Sequence, residues 1–162
     1  MPAELHEISL RGSTLRRGFW LYAWEVTTAN GDVVVYVGRT GDNSSPNAQS
    51  PFNRMGQHLG FAKNSNMLRK YLGHHQLEPE ACAFRLVALG PLEQESEEVG
   101  RAEHDKRRDI VAALEKPLAG AMRDAGYRVM NKVSSLKALD RERFNDVLVA
   151  FAEKFPALNC VE

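Results

Sequence analysis

An arginine and a histidine lie one helical turn apart in the segment PFNRMGQHL, as Arg54 and His58. The i, i+4 spacing puts both side chains on one face of a helix. A planar guanidinium can hold a phosphate group through two parallel hydrogen bonds, and a neutral imidazole can accept a proton near neutral pH. The pair could therefore bind and help to hydrolyse a phosphate ester, while a solvated helix face would use the same residue types.

Two tyrosines are placed to join this pair. Residues 19–27, FWLYAWEVT, are aromatic and β-branched and alternate like a strand, and residues 33–37 continue as a second strand after the favoured hairpin turn Asn30-Gly31. The hairpin can bring Tyr22 and Tyr36 close together on the sheet. Ordinary aromatic packing at a sheet rim would also account for them.

The helix that carries Arg54 and His58 has clear start signals. Ser50 suits the N-cap and Pro51 the first helical position. Phe52, Met55 and Leu59 recur at three- and four-residue steps, so we expect them to form the buried face, separate from the polar pair.

The remaining elements predict a sheet flanked by helices. We expect a short helix at 66–72, a third strand at 81–89 that ends at Gly90-Pro91, a helical stretch at 93–125 that Pro117 divides or kinks, and a C-terminal amphipathic helix. This order predicts an α+β fold with a small, three-stranded, mainly antiparallel β-sheet. We expect one domain over 1–162, with a core at about 19–132 and a helical extension at about 136–156.

Composition favours a globular protein without indicating its partner. Lys plus Arg and Asp plus Glu both total 21, so the formal net charge is zero. The stretch 43–77 nevertheless contains no acidic residue, and local potential steers an anion more than net charge does, although chance could produce such a stretch. The basic residues of this stretch are Arg54, Lys63, Arg69 and Lys70.

Several other classes lack their sequence signals. The chain has no HxxxH or CxxC unit, so a structural zinc site is not expected, and it has no glycine-rich nucleotide loop. No apolar run reaches membrane-spanning length, and the first residues lack the apolar core of a secretory signal. Cys82 and Cys160 have no companions at metal-ligand spacing, so we expect free thiols and a cytoplasmic location.

The polar residues together resemble the GIY-YIG endonuclease superfamily over about residues 19–132. The two tyrosine motifs of the family are similar to Trp20-Leu21-Tyr22 and Tyr36-Val37-Gly38, although Trp20 and Leu21 replace the usual glycine and isoleucine. The glutamate and asparagine of the family fall in ALEKPLAGAMRDAGYRVMN. The matching positions, which the resemblance implies are catalytic, are Tyr22, Tyr36, Arg54, His58, Glu115 and Asn131.

The resemblance implies a divalent-metal-dependent endonuclease that hydrolyses DNA. Glu115 would bind one Mg²⁺ or Mn²⁺ ion, with Glu103 as a rival ligand, and Arg54 would hold the phosphate. A tyrosine or His58 would orient or deprotonate the attacking water, and Asn131 would support the tyrosines or the phosphate.

Binding of the flanking phosphates would be electrostatic and independent of sequence. The residues expected to provide it are Arg39, Lys63, Arg69 and Lys70. The polar loop 42–50 could meet the DNA grooves or be a plain surface connection. RNA is an alternative substrate, and the C-terminal helix could bind a second copy or another protein. Two other functions stay open, a non-catalytic nucleic-acid-binding module with this fold and a protein-interaction domain.

Overall fold

The computed structural model describes residues 3–41, 48–61, 67–95 and 100–160. These ranges contain three strands and four α-helices, together with short 3₁₀ turns. In chain order they are β1 Gly18–Thr27, β2 Val33–Arg39, α1 Pro51–Leu59, α2 Met67–His74, β3 Ala83–Gln94, α3 Arg101–Asp124 and α4 Arg141–Ala152. None of the helices in these ranges is both long and apolar enough to span a membrane.

The strands form one antiparallel sheet in the order β2-β1-β3, which confirms the predicted α+β fold class. The hairpin between β1 and β2 turns where expected, with Gly31 at a φ of +83° and the Thr28 N–H donating to the Asp32 carbonyl at 2.9 Å. Its register pairs Tyr22 with Gly38 and Trp24 with Tyr36. The two tyrosines therefore lie on the same face of the sheet, as diagonal neighbours.

Helices cover both faces of the sheet. On one face, Leu21 and Val37 belong to a core that includes side chains of α3 and α4, such as Leu118 and Phe151. The opposite face has its own cluster. It consists of Tyr22, Trp24, Val26, Val34, Tyr36 and the α2 residues Leu68 and Leu72. Because both faces of β1 are buried, this strand reads as almost uniformly apolar in the sequence.

The prediction that the third strand ends at Gly90-Pro91 is wrong, because β3 continues to Gln94. β3 lies at the edge of the sheet, where a proline can be tolerated without breaking an internal ladder. The pairing with β1 shifts register between Phe19 and Leu21, beside these residues. Gly90 has a φ of +148°, and an added Cβ there would lie 2.9 Å from the Trp20 ring. Gly90-Pro91 therefore interrupts the regular pairing of β3 with β1 and does not end the strand.

The long helical stretch is one helix, α3, from Arg101 to Asp124, with Pro117 inside it. Of the two alternatives for Pro117, a new helix is therefore wrong, and a kink stays a prediction. α2 extends to His74, past the expected end at Gly73, and α4 is shorter than predicted. Beyond α3, Val129 forms a parallel bridge with Val35, so this segment covers the outer edge of β2.

Asn131 fastens that segment to β2. Its Oδ1 accepts a hydrogen bond from the Val37 N–H at 3.0 Å, and its Nδ2 donates to the Val37 carbonyl at 2.7 Å. The side chain satisfies both backbone groups of the residue between Tyr36 and Gly38, and only 4% of Asn131 is exposed. Asn131 thus holds the end of β2 in place, because its side chain makes the backbone hydrogen bonds that a neighbouring strand would make.

Replacing Asn131 should therefore destabilise the fold. The change Asn131→Ala leaves the N–H and carbonyl of Val37 buried without these partners, which should lower the free energy of unfolding by about 3 kcal/mol. Urea denaturation of the variant and the wild type measures the difference. Asn159→Ala is the control, because Asn159 makes one exposed hydrogen bond to Pro156 and its loss should cost little. Equal stability of Asn131→Ala and the wild type would contradict the assignment.

Candidate functional site

Helix α1 turns a polar face toward the sheet. Ser50 caps it as predicted, accepting a hydrogen bond from the Asn53 N–H at 3.2 Å. Its buried residues are Pro51 and His58, whereas Phe52 is 42% exposed. The expected buried face is therefore wrong for Phe52, whereas Met55 and Leu59 are partly buried and pack against the cluster on this side of the sheet.

A tyrosine hydroxyl beneath α1 explains why the polar side chain of His58 is buried. Tyr22 Oη and His58 Nε2 are 2.6 Å apart, although Tyr22 is only 1% exposed and His58 only 2%. A hydrogen bond between them offsets the cost of removing two polar groups from water. The rings meet at an interplanar angle of 70°. The opposite residue, Gly38, provides the space, because an added Cβ would lie 2.6 Å from the Tyr22 hydroxyl oxygen.

Tyr36 lies beside the same imidazole. Its ring centroid is 5.1 Å from that of His58, and the phenol is mostly buried. Burial raises the pKa of Tyr36 above its ordinary value, the charges of Tyr22 and Glu115 raise it further, and the Arg54 guanidinium acts in the opposite direction. The phenol therefore stays protonated at neutral pH, where it can donate a hydrogen bond.

Helix α3 contributes Glu115, which forms an ion pair with the last residue of β2. Arg39 Nε and Glu115 Oε2 are 3.1 Å apart, and the two side chains are 19% and 18% exposed. Burial raises the pKa of Glu115, and the positive charges of Arg39 and Arg54 oppose this rise. Glu115 thus interacts electrostatically with Arg54 and with Tyr36, so residues from α1, α3 and β2 act on one another.

Charged and neutral polar groups act on one another in this cluster. Among the residues that the structure describes, Arg39 and Arg54 bring guanidinium groups and Glu115 a carboxylate, and the tyrosines are neutral in their protonated forms. Arg54 also donates from Nη1 to the side chain of Gln57 at 2.8 Å, which restrains its orientation. The planar guanidinium groups of the two arginines suit an anion with several acceptor oxygens.

The predicted phosphate-binding residues have different surroundings. Arg39 belongs to the cluster through Glu115. Arg69 donates to the Leu59 carbonyl at 3.0 Å, pairs with Glu80 at 2.8 Å and lies over the Phe61 ring, so it connects α1 to α2. Lys70 is exposed on α2. Two further predictions concern Lys63 and the polar loop 42–50. Lys63 and residues 42–47 of that loop lie outside the described residues.

The structure adds one residue that the sequence reasoning missed. The Tyr71 ring, on α2, lies 5.7 Å from that of Tyr36, and its hydroxyl contributes to the raised pKa of Tyr36. Its position between Leu68 and Leu72, both buried, is the signal that could have placed it on the inner face of the helix.

The side chains around Glu115 could hold only a metal ion that takes most of its ligands from water and substrate. Among the residues the structure describes, no group of three or more His, Cys, Asp or Glu side chains could hold a metal ion. Magnesium is often held by one or two carboxylates together with water and substrate phosphate oxygens, and Glu115 is suited to that arrangement. The rival ligand Glu103 instead pairs with Arg107 at 3.2 Å and is 44% exposed.

No protein-family model, no curated protein and no solved structure matches this chain. Membership of the GIY-YIG superfamily therefore stays a prediction from its motifs.

The raised pKa of Glu115 predicts how stability depends on pH. The folded state holds this proton more tightly than the unfolded state, so the stabilisation is complete below the ordinary value of 4.5 and is lost as pH rises through the folded-state pKa. Glu115→Gln removes the buried charge but keeps an acceptor for Arg39. Relative to the wild type, the variant should gain stability as pH rises through the folded-state pKa, because only the wild type then acquires the unfavourable buried charge.

Denaturant unfolding at a series of pH values measures this gain. Glu80→Gln is the opposite control, because Arg69 lowers the pKa of Glu80 and its neutralisation should bring no stabilisation at neutral pH. If the difference in stability between Glu115→Gln and the wild type did not change with pH, burial would not disfavour the ionised carboxylate.

Proposed function

We propose that this chain is a divalent-metal-dependent endonuclease that hydrolyses phosphodiester bonds of DNA. One observation carries the proposal: the buried contact between Tyr22 and His58 lies beside Tyr36, and the charges of Arg54 and Glu115 act on Tyr36. The motif resemblance to the GIY-YIG superfamily supports the same set of residues.

Arg54 binds the scissile phosphate. Arg39, which the sequence predicted for the flanking phosphates, is proposed to contact the scissile phosphate as well because it pairs with Glu115. Arg54 approaches from α1 and Arg39 from the end of β2, and each presents a planar fork of N–H donors. Their charge stabilises the phosphoryl oxygens as negative charge develops there during attack by water. Lys63, Arg69 and Lys70 are proposed to add contacts to neighbouring phosphates, which would weaken with salt.

His58 is the proposed general base. Its Nε2 lies 2.6 Å from the Tyr22 hydroxyl, so a neutral imidazole can take the proton of Tyr22 while Tyr22 takes one from the attacking water. Tyr36 is poorly suited to act as the base because burial raises its pKa. Its neutral hydroxyl instead orients the water or donates to a phosphoryl oxygen.

Glu115 would hold one Mg²⁺ or Mn²⁺ ion. When bound, such an ion supplies Lewis-acid stabilisation of the leaving oxygen. Asn131 is a positioning residue in this scheme, since it fixes the backbone between Tyr36 and Gly38. We place the activity in the cytoplasm, and the free thiols of Cys82 and Cys160 agree with a reducing compartment.

A plasmid-nicking assay tests the proposal. The wild type should convert supercoiled plasmid to the open circular form with Mg²⁺ or Mn²⁺ and should stop when EDTA is added. Arg54→Ala and Glu115→Gln should each lower the rate by about a hundredfold or more, because each removes charge stabilisation from the reacting phosphate. The matched control is Glu103→Gln, which alters a glutamate on the same helix that also pairs with an arginine. Its rate should be unchanged.

Two results would contradict the proposal. One is absence of nicking by the folded wild type with either metal. The other is nicking by Glu115→Gln at the rate of Glu103→Gln, which would show that the carboxylate of Glu115 has no part in the reaction.

A further inference from the structure

Arg39 contacts the same carboxylate that the proposed reaction assigns to the metal. Its Nε lies 3.1 Å from Oε2 of Glu115, and its Nη1 also donates to the Gly41 carbonyl. The two hydrogen bonds hold the guanidinium between the end of β2 and helix α3. The ion pair is about one-fifth exposed on either side, so an ion from solvent can reach it.

A guanidinium and a divalent cation are competitors at this carboxylate. Both are attracted by the single negative charge of Glu115, and two cations close to one partly buried anion repel each other strongly. A partly buried carboxylate is costly without a cation nearby, and Arg39 provides that cation in the free protein. The free site is therefore unfavourable for a dication.

A phosphodiester changes this balance. It brings a negative charge and acceptor oxygens that suit the planar fork of an arginine at least as well as a carboxylate does. Arg39 can then exchange Glu115 for a phosphate oxygen, and the released carboxylate and the phosphate together attract the dication. Magnesium commonly takes a phosphate oxygen and a carboxylate oxygen at once.

We infer that Arg39 is a positioning residue that occupies Glu115 in the free protein and releases it to the metal ion when a substrate phosphate binds. This inference rests on the proposed nuclease function. It makes metal and nucleic acid bind cooperatively, and by linkage each raises the affinity for the other by the same factor. The metal site is then complete only when substrate is present, which limits binding of dications without DNA.

Titration with Mn²⁺, followed by the electron paramagnetic resonance signal of the free ion, tests this inference without measuring activity. It is done at about pH 8 with the full chain, alone and with a duplex whose phosphorothioate linkages resist hydrolysis. Without duplex, Arg39→Gln should bind Mn²⁺ about tenfold more tightly than the wild type, because the competing cation is gone. The duplex should tighten binding to the wild type by a similar factor and should affect Arg39→Gln much less.

Arg107→Gln is the matched control. The Nε of Arg107 lies 3.2 Å from Oε1 of Glu103, so this arginine also pairs with a glutamate of α3 through its Nε. The loss of Arg107 should leave Mn²⁺ affinity unchanged. Circular dichroism of each variant checks that the fold is retained, and Arg39→Lys, which keeps the positive charge, should resemble the wild type in the absence of duplex.

The outcomes separate this inference from the proposed function. If Arg39→Gln binds Mn²⁺ no more tightly than the wild type while the wild type nicks plasmid, the exchange is overturned and the nuclease proposal stands. If no variant binds Mn²⁺ even with duplex and the wild type does not nick, both are overturned.

Discussion

The site depends on a buried contact between a phenol hydroxyl on β1 and an imidazole on α1. Tyr22 and His58 are both almost fully removed from water, and each would be costly to bury without a hydrogen-bonding partner. The contact therefore fixes how α1 sits on the sheet, with Phe52 facing outward and His58 inward. It also requires a residue without a side chain at position 38, opposite Tyr22. The orientation of α1 in turn sets the position of Arg54.

The same surroundings set the charge states of the neighbouring groups. Burial keeps Tyr36 protonated and disfavours the ionised form of Glu115, while the positive charges of Arg39 and Arg54 favour that ionised form. A core built only for stability would have little reason to gather such groups. In the proposed mechanism, the ion pair between Arg39 and Glu115 is the form of the site without substrate. The proposed exchange follows from the competition between Arg39 and a metal ion for the same carboxylate.

The sequence predicts local features of this fold better than it predicts contacts. The hairpin and the diagonal arrangement of the tyrosines follow from strand alternation and the Asn30-Gly31 turn, both of which act over a few residues. Periodicity in α1 correctly places Met55 and Leu59 against the core but is wrong for Phe52. It also misses the burial of His58, because Tyr22 provides a buried partner for the imidazole and no apolar pattern reports that contact. The pairing of Arg39 with Glu115 joins residues 76 apart, and no local pattern reports it. The family resemblance, and not residue spacing, predicts the roles of Glu115 and Asn131.

The central claim is that a divalent cation binds at Glu115, beside the end of β2, when nucleic acid is present. Paramagnetic broadening in the ¹H–¹⁵N spectrum measures this directly when small amounts of Mn²⁺ are added to the labelled protein and the phosphorothioate duplex. The broadening should be strongest for the amides of Gly38, Arg39 and Glu115, which belong to adjoining elements. Broadening centred on the acidic first turns of α3, around Glu103 and Asp105, with Glu115 unaffected, would contradict it.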